Sequence, residues 1–180
     1  MESKNLNNEW EGLLFDVRRS VRYHNRRRAF YDRLDQVTNV IALIFGSATI
    51  VGVLSPHAQT IWAVLSAALV TCFSAVNLVV GSSQRARNHS DFAKQFFALE
   101  EQMIRMDKPS EEALRELTAQ RLSIEKDEPP VLRVLDCICY NEQVQAMDFS
   151  ADQMIQISGW QRLCAPFFDW RTDTMKRVNQ

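Results

Sequence analysis

From Gln36 to Gln84 the chain runs for 49 residues without an Asp, Glu, Lys or Arg, although 21 basic and 22 acidic side chains are spread over the rest of it. The charge-free stretch splits at Ser55-Pro56-His57-Ala58-Gln59 into two apolar segments, Val37–Leu54 and Thr60–Gly81. At ~1.5 Å rise per residue these predict helices of roughly 27 and 33 Å, each enough for the ~30 Å hydrocarbon core of a bilayer. The pentapeptide between them, with its proline, histidine and polar neighbours, suits a turn at an aqueous face and would be hard to satisfy in a buried core. The pattern predicts a transmembrane hairpin: residues 1–36 as a basic amphipathic cytoplasmic helix, 37–54 and 60–81 as spans, and 84–180 as cytoplasmic helices of the same single domain.

The flanking segments read as helices by period. Trp10, Leu14, Val17 and Val21 share a face, and no Pro or Gly interrupts the run from Leu13 to Phe45, so the first helix is expected to enter the span without a break. After the second span Phe92, Phe96, Leu99, Met103 and Met106 recur at steps of four and three, one apolar seam on a helix of about 24 residues. Pro109 should stop that helix, Ser110 should cap the next, Glu111 and Glu112 suit its first turn, and Leu114, Leu117 and Ile124 continue its apolar face. Pro129-Pro130 breaks the chain again, and Pro130 is placed to open a third helix with Leu132, Leu135 and Cys139 on one side. From Asp152 onward Ile155, Trp160, Leu163, Phe167, Phe168 and Trp170 carry enough apolar surface to dock. No segment reads as a strand. The expected fold is all-α: a two-helix transmembrane hairpin with a cytoplasmic helical bundle, assembled as a homo-oligomer, and since two helices enclose no pore, conduction requires several copies.

Whole-chain averages hide this pattern. A net charge of −1, a pI near 6.3 and a mean hydropathy of −0.23 describe an ordinary soluble protein because the charged majority dilutes the apolar stretch. A soluble enzyme with the hairpin as its core is disfavoured, since two charge-free helices of this length need a larger cover than the remainder supplies. The first 35 residues hold eight Lys/Arg and no early apolar run, so no cleaved leader is expected.

Basic residues set the expected orientation. Arg18, Arg19, Arg22, Arg26, Arg27, Arg28 and Arg33 precede the first span, Arg85, Arg87 and Lys94 follow the second, and the turn has none, which predicts both termini on the cytoplasmic side. Phe30, Tyr31 and Trp62 stand where aromatic rings settle at the membrane interface. The arginines from Arg18 to Arg28 form a candidate collar for anionic lipid, each basic residue worth about 1 kcal/mol there, or for an acidic ligand such as a nucleotide.

Candidate chemistry is sparse. Cys137 and Cys139 form a C-x-C pair with neither a second pair nor a nearby histidine, and with Cys72 and Cys164 they read as free cytoplasmic or membrane-embedded thiols. His24, His57 and His89 are scattered without metal-ligand spacing, and no glycine-rich phosphate loop exists. The expectation is a protein without catalytic residues, metal, cofactor or nucleic-acid partner. Polar residues inside the spans are patterned, however. Ala63, Ser66, Ala67, Val70, Ser74, Asn77 and Gly81 fall within about 100° of helix circumference, and Thr38, Asn39, Ala42, Gly46 and Thr49 make a similar stripe on the first span. Asn39, Thr49, Ser66, Thr71, Ser74 and Asn77 are therefore candidates either for close helix packing or for lining a water-filled path in an oligomer.

The order of features resembles the SLATT family, two-transmembrane effector domains found with bacterial SMODS nucleotidyltransferases and SLOG sensor proteins. The matching residues are the basic lead-in with Tyr31-Asp32-Arg33-Leu34, the hairpin, the Arg85/His89/Phe92 helix, and Glu128-Pro129-Pro130 followed by Asp136-Cys137-Ile138-Cys139-Tyr140-Asn141-Glu142. The likeness covers most of residues 10 to 150, and its most specific element is Asn141-Glu142. It implies a non-enzymatic effector of the bacterial inner membrane, pore-forming and homo-oligomeric, in a nucleotide-signalled anti-phage or conflict system, with Asn141 and Glu142 as a structural motif. Since no sensor or synthase domain is recognisable within these residues, the resemblance implies a cytoplasmic ligand or a separate nucleotide sensor or synthase protein as the source of the signal. The alternative is a non-conducting membrane-anchored adaptor that recruits a cytoplasmic partner.

Overall fold

The computed structural model describes residues 2–54, 60–106 and 109–178. The predicted turn at residues 55–59, with His57, lies outside them. The fold is all-helical: α1 (Glu2–Leu54), α2 (Thr60–Val80), α3 (Ser82–Arg105), α4 (Glu111–Glu125), α5 (Arg133–Ala146) and α6 (Gly159–Cys164), with short 3-10 turns at Ala151–Gln153 and Thr172–Thr174. Among the described residues there is no strand, only an isolated antiparallel bridge between Ile155 and Arg177. Two compact units emerge, one of Met1–Arg27 with His89–Gln180 and one of Arg28–Asn88.

In the Arg28–Asn88 unit the apolar run of α1 packs against α2. Both helices are long and apolar enough to cross a membrane, and only 6% of the most apolar window of each is buried within the chain. Leu43, Val53, Leu78 and Val79 are 72–85% exposed. The faces that do meet are small: a Cβ built on Gly52 would lie 3.0 Å from the Cβ of Ala63, and Ala63 and Thr38 are buried. Small residues allow that backbone approach. Gly81 ends α2 with φ +62, a left-handed turn that an L side chain adopts only with strain, so the second apolar helix stops one residue short of the predicted boundary. Tyr31, expected as an interfacial ring, packs within the chain. It is buried, and Arg85 covers it, with Nη1 donating to its hydroxyl at 3.4 Å and the guanidinium 5.8 Å from the ring centre.

The other unit has two apolar clusters. Leu13, Val17 and Val21 of α1 meet Phe96, Leu99 and Met103 of α3 and Leu117 of α4, with Trp10, Leu14, Leu114 and Ile124 around them. Each large side chain so buried contributes about 1.5–3 kcal/mol, which explains why the predicted seam on α3 faces this core. Met106 departs from the seam, since α3 ends at Arg105 and Met106 is exposed. The second cluster joins Tyr23, Val134, Leu135, Cys139 and Ala165.

Helix ends follow local and tertiary caps. Ser110 Oγ accepts from Ala113 N–H at 3.1 Å and starts α4, as its position before Glu111 and Glu112 predicts. Pro130 does not open α5. The chain stays extended to Leu132, whose N–H donates to the Tyr23 hydroxyl at 3.0 Å, and the Asp169 carboxylate accepts from Arg133 and Val134 N–H at 3.1 and 3.0 Å. A carboxylate from far along the chain fixes where the helix begins. The C-terminal segment also docks differently from expectation. Ala165, Ile157 and Met175 pack on the second cluster, while Trp160, Leu163, Phe167, Phe168 and Trp170 stay exposed.

Candidate functional site

The polar residues of the apolar helices separate into two groups. Thr49, Ser66 and Asn77 are half-buried, while Asn39, Thr71 and Ser74 are exposed. Asp35, the last charge before the charge-free stretch, accepts from Asn39 Nδ2 at 3.2 Å and from Asn77 Nδ2 at 3.1 Å, so it ties α1 to α2. The Asn77 Oδ1 is buried with no hydrogen-bond partner among the described residues. The hydroxyls of Thr38, Ser47, Thr49 and Thr71 donate to the carbonyls of Leu34, Leu43, Phe45 and Ala67 at 2.7–2.8 Å, which satisfies them within their own helices.

The arginine collar is woven into the bundle. Arg18 Nε bonds Glu100 of α3 at 2.7 Å, Arg22 Nε donates to Gln143 of α5 at 2.8 Å, and Arg26 pairs with Glu142. Arg19 sits 3.5 Å from both Asp16 and Asp136, Arg27 Nη1 donates to the Pro166 carbonyl at 2.6 Å, and Arg28 lies 3.5 Å from Asp32 in the other unit. An anionic ligand or headgroup would therefore compete with intramolecular partners at each of these six side chains. The Asn141-Glu142 dipeptide serves the same assembly. Buried Asn141 donates from Nδ2 to the Ile155 carbonyl at 2.7 Å and accepts from Ile155 N–H at 2.8 Å, pinning the return segment to α5, while Glu142 holds α1.

Sequence reasoning missed a buried histidine cluster. His24 Nδ1 and His89 Nδ1 are 2.9 Å apart, and His24 Nε2 is 3.1 Å from Glu128 Oε1, with His24 only 1% exposed. One proton must lie between the two Nδ1 atoms, so one imidazole donates and the other accepts. Phe92 and Phe96 close over His24, with ring centres 5.2 and 5.7 Å away. Residues 24, 89 and 128 come from α1, α3 and the linker after α4, so no local spacing announces the cluster.

Beside it opens a cleft of about 690 Å³ lined in part by Arg19, Tyr23, Glu128, Arg133, Asp136 and Cys137. Burial pushes the Asp136 carboxyl above the ordinary carboxylate range, with Arg19 opposing and Asp16 and Glu128 adding to the rise. Burial likewise raises the Tyr23 phenol and the Cys137 thiol, and it drives Cys139 up to about 12. Raised thiols are poor nucleophiles and poor metal ligands. Among the described residues no group of three or more His, Cys, Asp or Glu is placed to hold a metal ion. The cleft is lined by polar and ionisable side chains, and Cys137, the cysteine in its lining, is not activated for attack. No family model, curated protein or solved structure matches this chain.

Proposed function

We propose that this protein is a two-span membrane effector, and the carrying observation is the uncovered apolar sheath of α1 and α2. Side chains such as Leu43, Leu78 and Val79 would cost about 1.5–3 kcal/mol each in water and nothing comparable in lipid. The Gly52–Ala63 approach supports a packed hairpin, and the distribution of basic residues supports a bacterial inner-membrane topology with both termini cytoplasmic. The resemblance to SLATT domains supports a role in an anti-phage or conflict system, with copies assembling into a pore when a nucleotide-linked partner signals. In this reading Thr49, Ser66 and Asn77 pack within the hairpin, and Asn39, Thr71 and Ser74, left exposed by one copy, face the path in the oligomer.

A specific observation favours the adaptor alternative. Four span hydroxyls are already bonded to their own backbone and need no water. In that reading the hairpin only anchors the bundle, whose cleft recruits a cytoplasmic partner.

Membrane residence and orientation are tested together. The protein should sediment with membranes through carbonate washing and leave them only in detergent. In sealed cells an impermeant thiol reagent should label Ala58→Cys and spare Cys164. Release into the soluble fraction, or labelling of Cys164, would overturn the arrangement.

A further inference from the structure

The C-terminal segment carries an exposed aromatic surface that neither the core nor the proposed pore uses. Trp160 is 73% exposed, Leu163 and Phe167 64%, and Phe168 and Trp170 48%. This is a costly arrangement for a water-facing surface, and the segment is held in it firmly. The capping box of Ser158 and Gln161 starts α6, and the buried Gln161 Nε2 donates to the carbonyl of Arg171 at 2.9 Å and to Thr174 Oγ1 at 3.0 Å. Trp160, Phe168, Trp170 and Arg171 line an apolar groove of about 580 Å³. The aromatic residues are thus presented outward by a fixed scaffold.

Charge indicates what covers them. Arg162, Arg171, Lys176 and Arg177 lie in the same segment, and none has an ion-pair partner among the described residues. Of the two carboxylates between Gly159 and Val178, Asp169 is turned to the α5 N-terminus. Indole and phenyl rings beside unpaired cations match the headgroup level of an anionic bilayer, where rings sit half-immersed and cations meet phosphate. A second copy of the chain would bring the same positive charge to the contact. The segment is also fastened to α1, where the Pro166 carbonyl accepts from Arg27 Nη1.

We infer that Trp160, Leu163, Phe167, Phe168 and Trp170, with Arg162 and Arg171, form a peripheral docking surface for anionic lipid. It rests on the membrane reading above and adds a lipid-composition sensor to the cytoplasmic bundle. Docking of this segment on the inner leaflet would bias the orientation of the bundle to which Asn141 and Asp169 bind it.

Replacing Trp10 and Trp62 by Phe leaves Trp160 and Trp170 as the only indoles, and the full chain is reconstituted into phosphatidylcholine vesicles with or without phosphatidylglycerol. With brominated acyl chains in the anionic vesicles, emission should be blue-shifted and quenched about twofold or more. Quenching should weaken in pure phosphatidylcholine and on combining Arg162→Glu with Arg171→Glu. Unquenched, water-like emission from protein that floats with the vesicles would overturn the inference while sparing the membrane reading; protein that fails to float defeats both. Equal quenching in both lipids, unmoved by the charge reversals, overturns the role of the cations. Unquenched emission accompanied by disulfide dimers through Leu163→Cys gives the surface to a second copy and overturns lipid docking.

Discussion

At the scale of single residues the bundle is held by polar side chains that reach across the chain, and Asp136 shows what this costs. The folded chain holds the Asp136 proton more tightly than the unfolded chain does, because burial disfavours the carboxylate. This group therefore stabilises the fold most at pH below the ordinary carboxylate range and loses that contribution as pH rises through its raised value. Asp136→Asn, which does not titrate, should gain stability relative to the natural chain between acid and neutral pH. Thermal midpoints in detergent at pH ~4 and ~7 read the difference, and a gap constant with pH would contradict the assignment. Residues whose role is local were legible in the sequence: Ser110 caps α4 because it precedes two glutamates and follows a proline. His24, His89 and Glu128 were not, since their meeting depends on three elements packing together and leaves no periodic trace.

Among the elements, hydrophobic period located the helices well and their ends less well. The run from Leu13 to Phe45, without Pro or Gly, lies inside α1, which continues through Gly12, Gly46 and Gly52 from Glu2 to Leu54, and the spacing of Phe96, Leu99 and Met103 faces the core it implies. Pro130 misled because the start of α5 is set by Asp169 and Tyr23, which the local sequence does not contain. The apolar run from Trp160 to Trp170 predicts a docked segment, yet its rings stay exposed, because hydrophobicity alone does not say which side chains a docked segment turns inward. In the apolar helices the contact is set by size, which gives a sharp comparison. Gly52→Leu drives a side chain into Ala63 and should destabilise the folded protein by about 1–3 kcal/mol. A Cβ built on Gly46 meets nothing within 4 Å in the single chain, so Gly46→Leu should leave the thermal midpoint in detergent nearly unchanged. Equal loss at both positions would show that α1 and α2 do not pack through Gly52.

For the whole molecule, the chain combines a pair of helices long and apolar enough to cross a membrane with a polar, cross-braced bundle that carries a cleft. Burial raises the Cys137 and Cys139 thiols in the bundle, while Asn39, Thr71 and Ser74 stand exposed on helices otherwise fit for hydrocarbon. Asn77 is a poorer reporter of a path than the sequence suggested, since its amide is engaged by Asp35 and its loss would disturb the hairpin itself. Ser74 is exposed and can be changed without touching that contact.

Conductance of planar bilayers containing the natural chain, crosslinked into oligomers, tests the effector reading most directly. The account predicts stepwise currents, reduced about tenfold or more by Ser74→Leu, equivalent to ~1.4 kcal/mol on the ion barrier, with the oligomer size unchanged. Natural oligomers that insert in the bilayer and leave it electrically silent, also after exposure to cytosol from cells challenged by phage, would contradict the pore and leave the anchored adaptor.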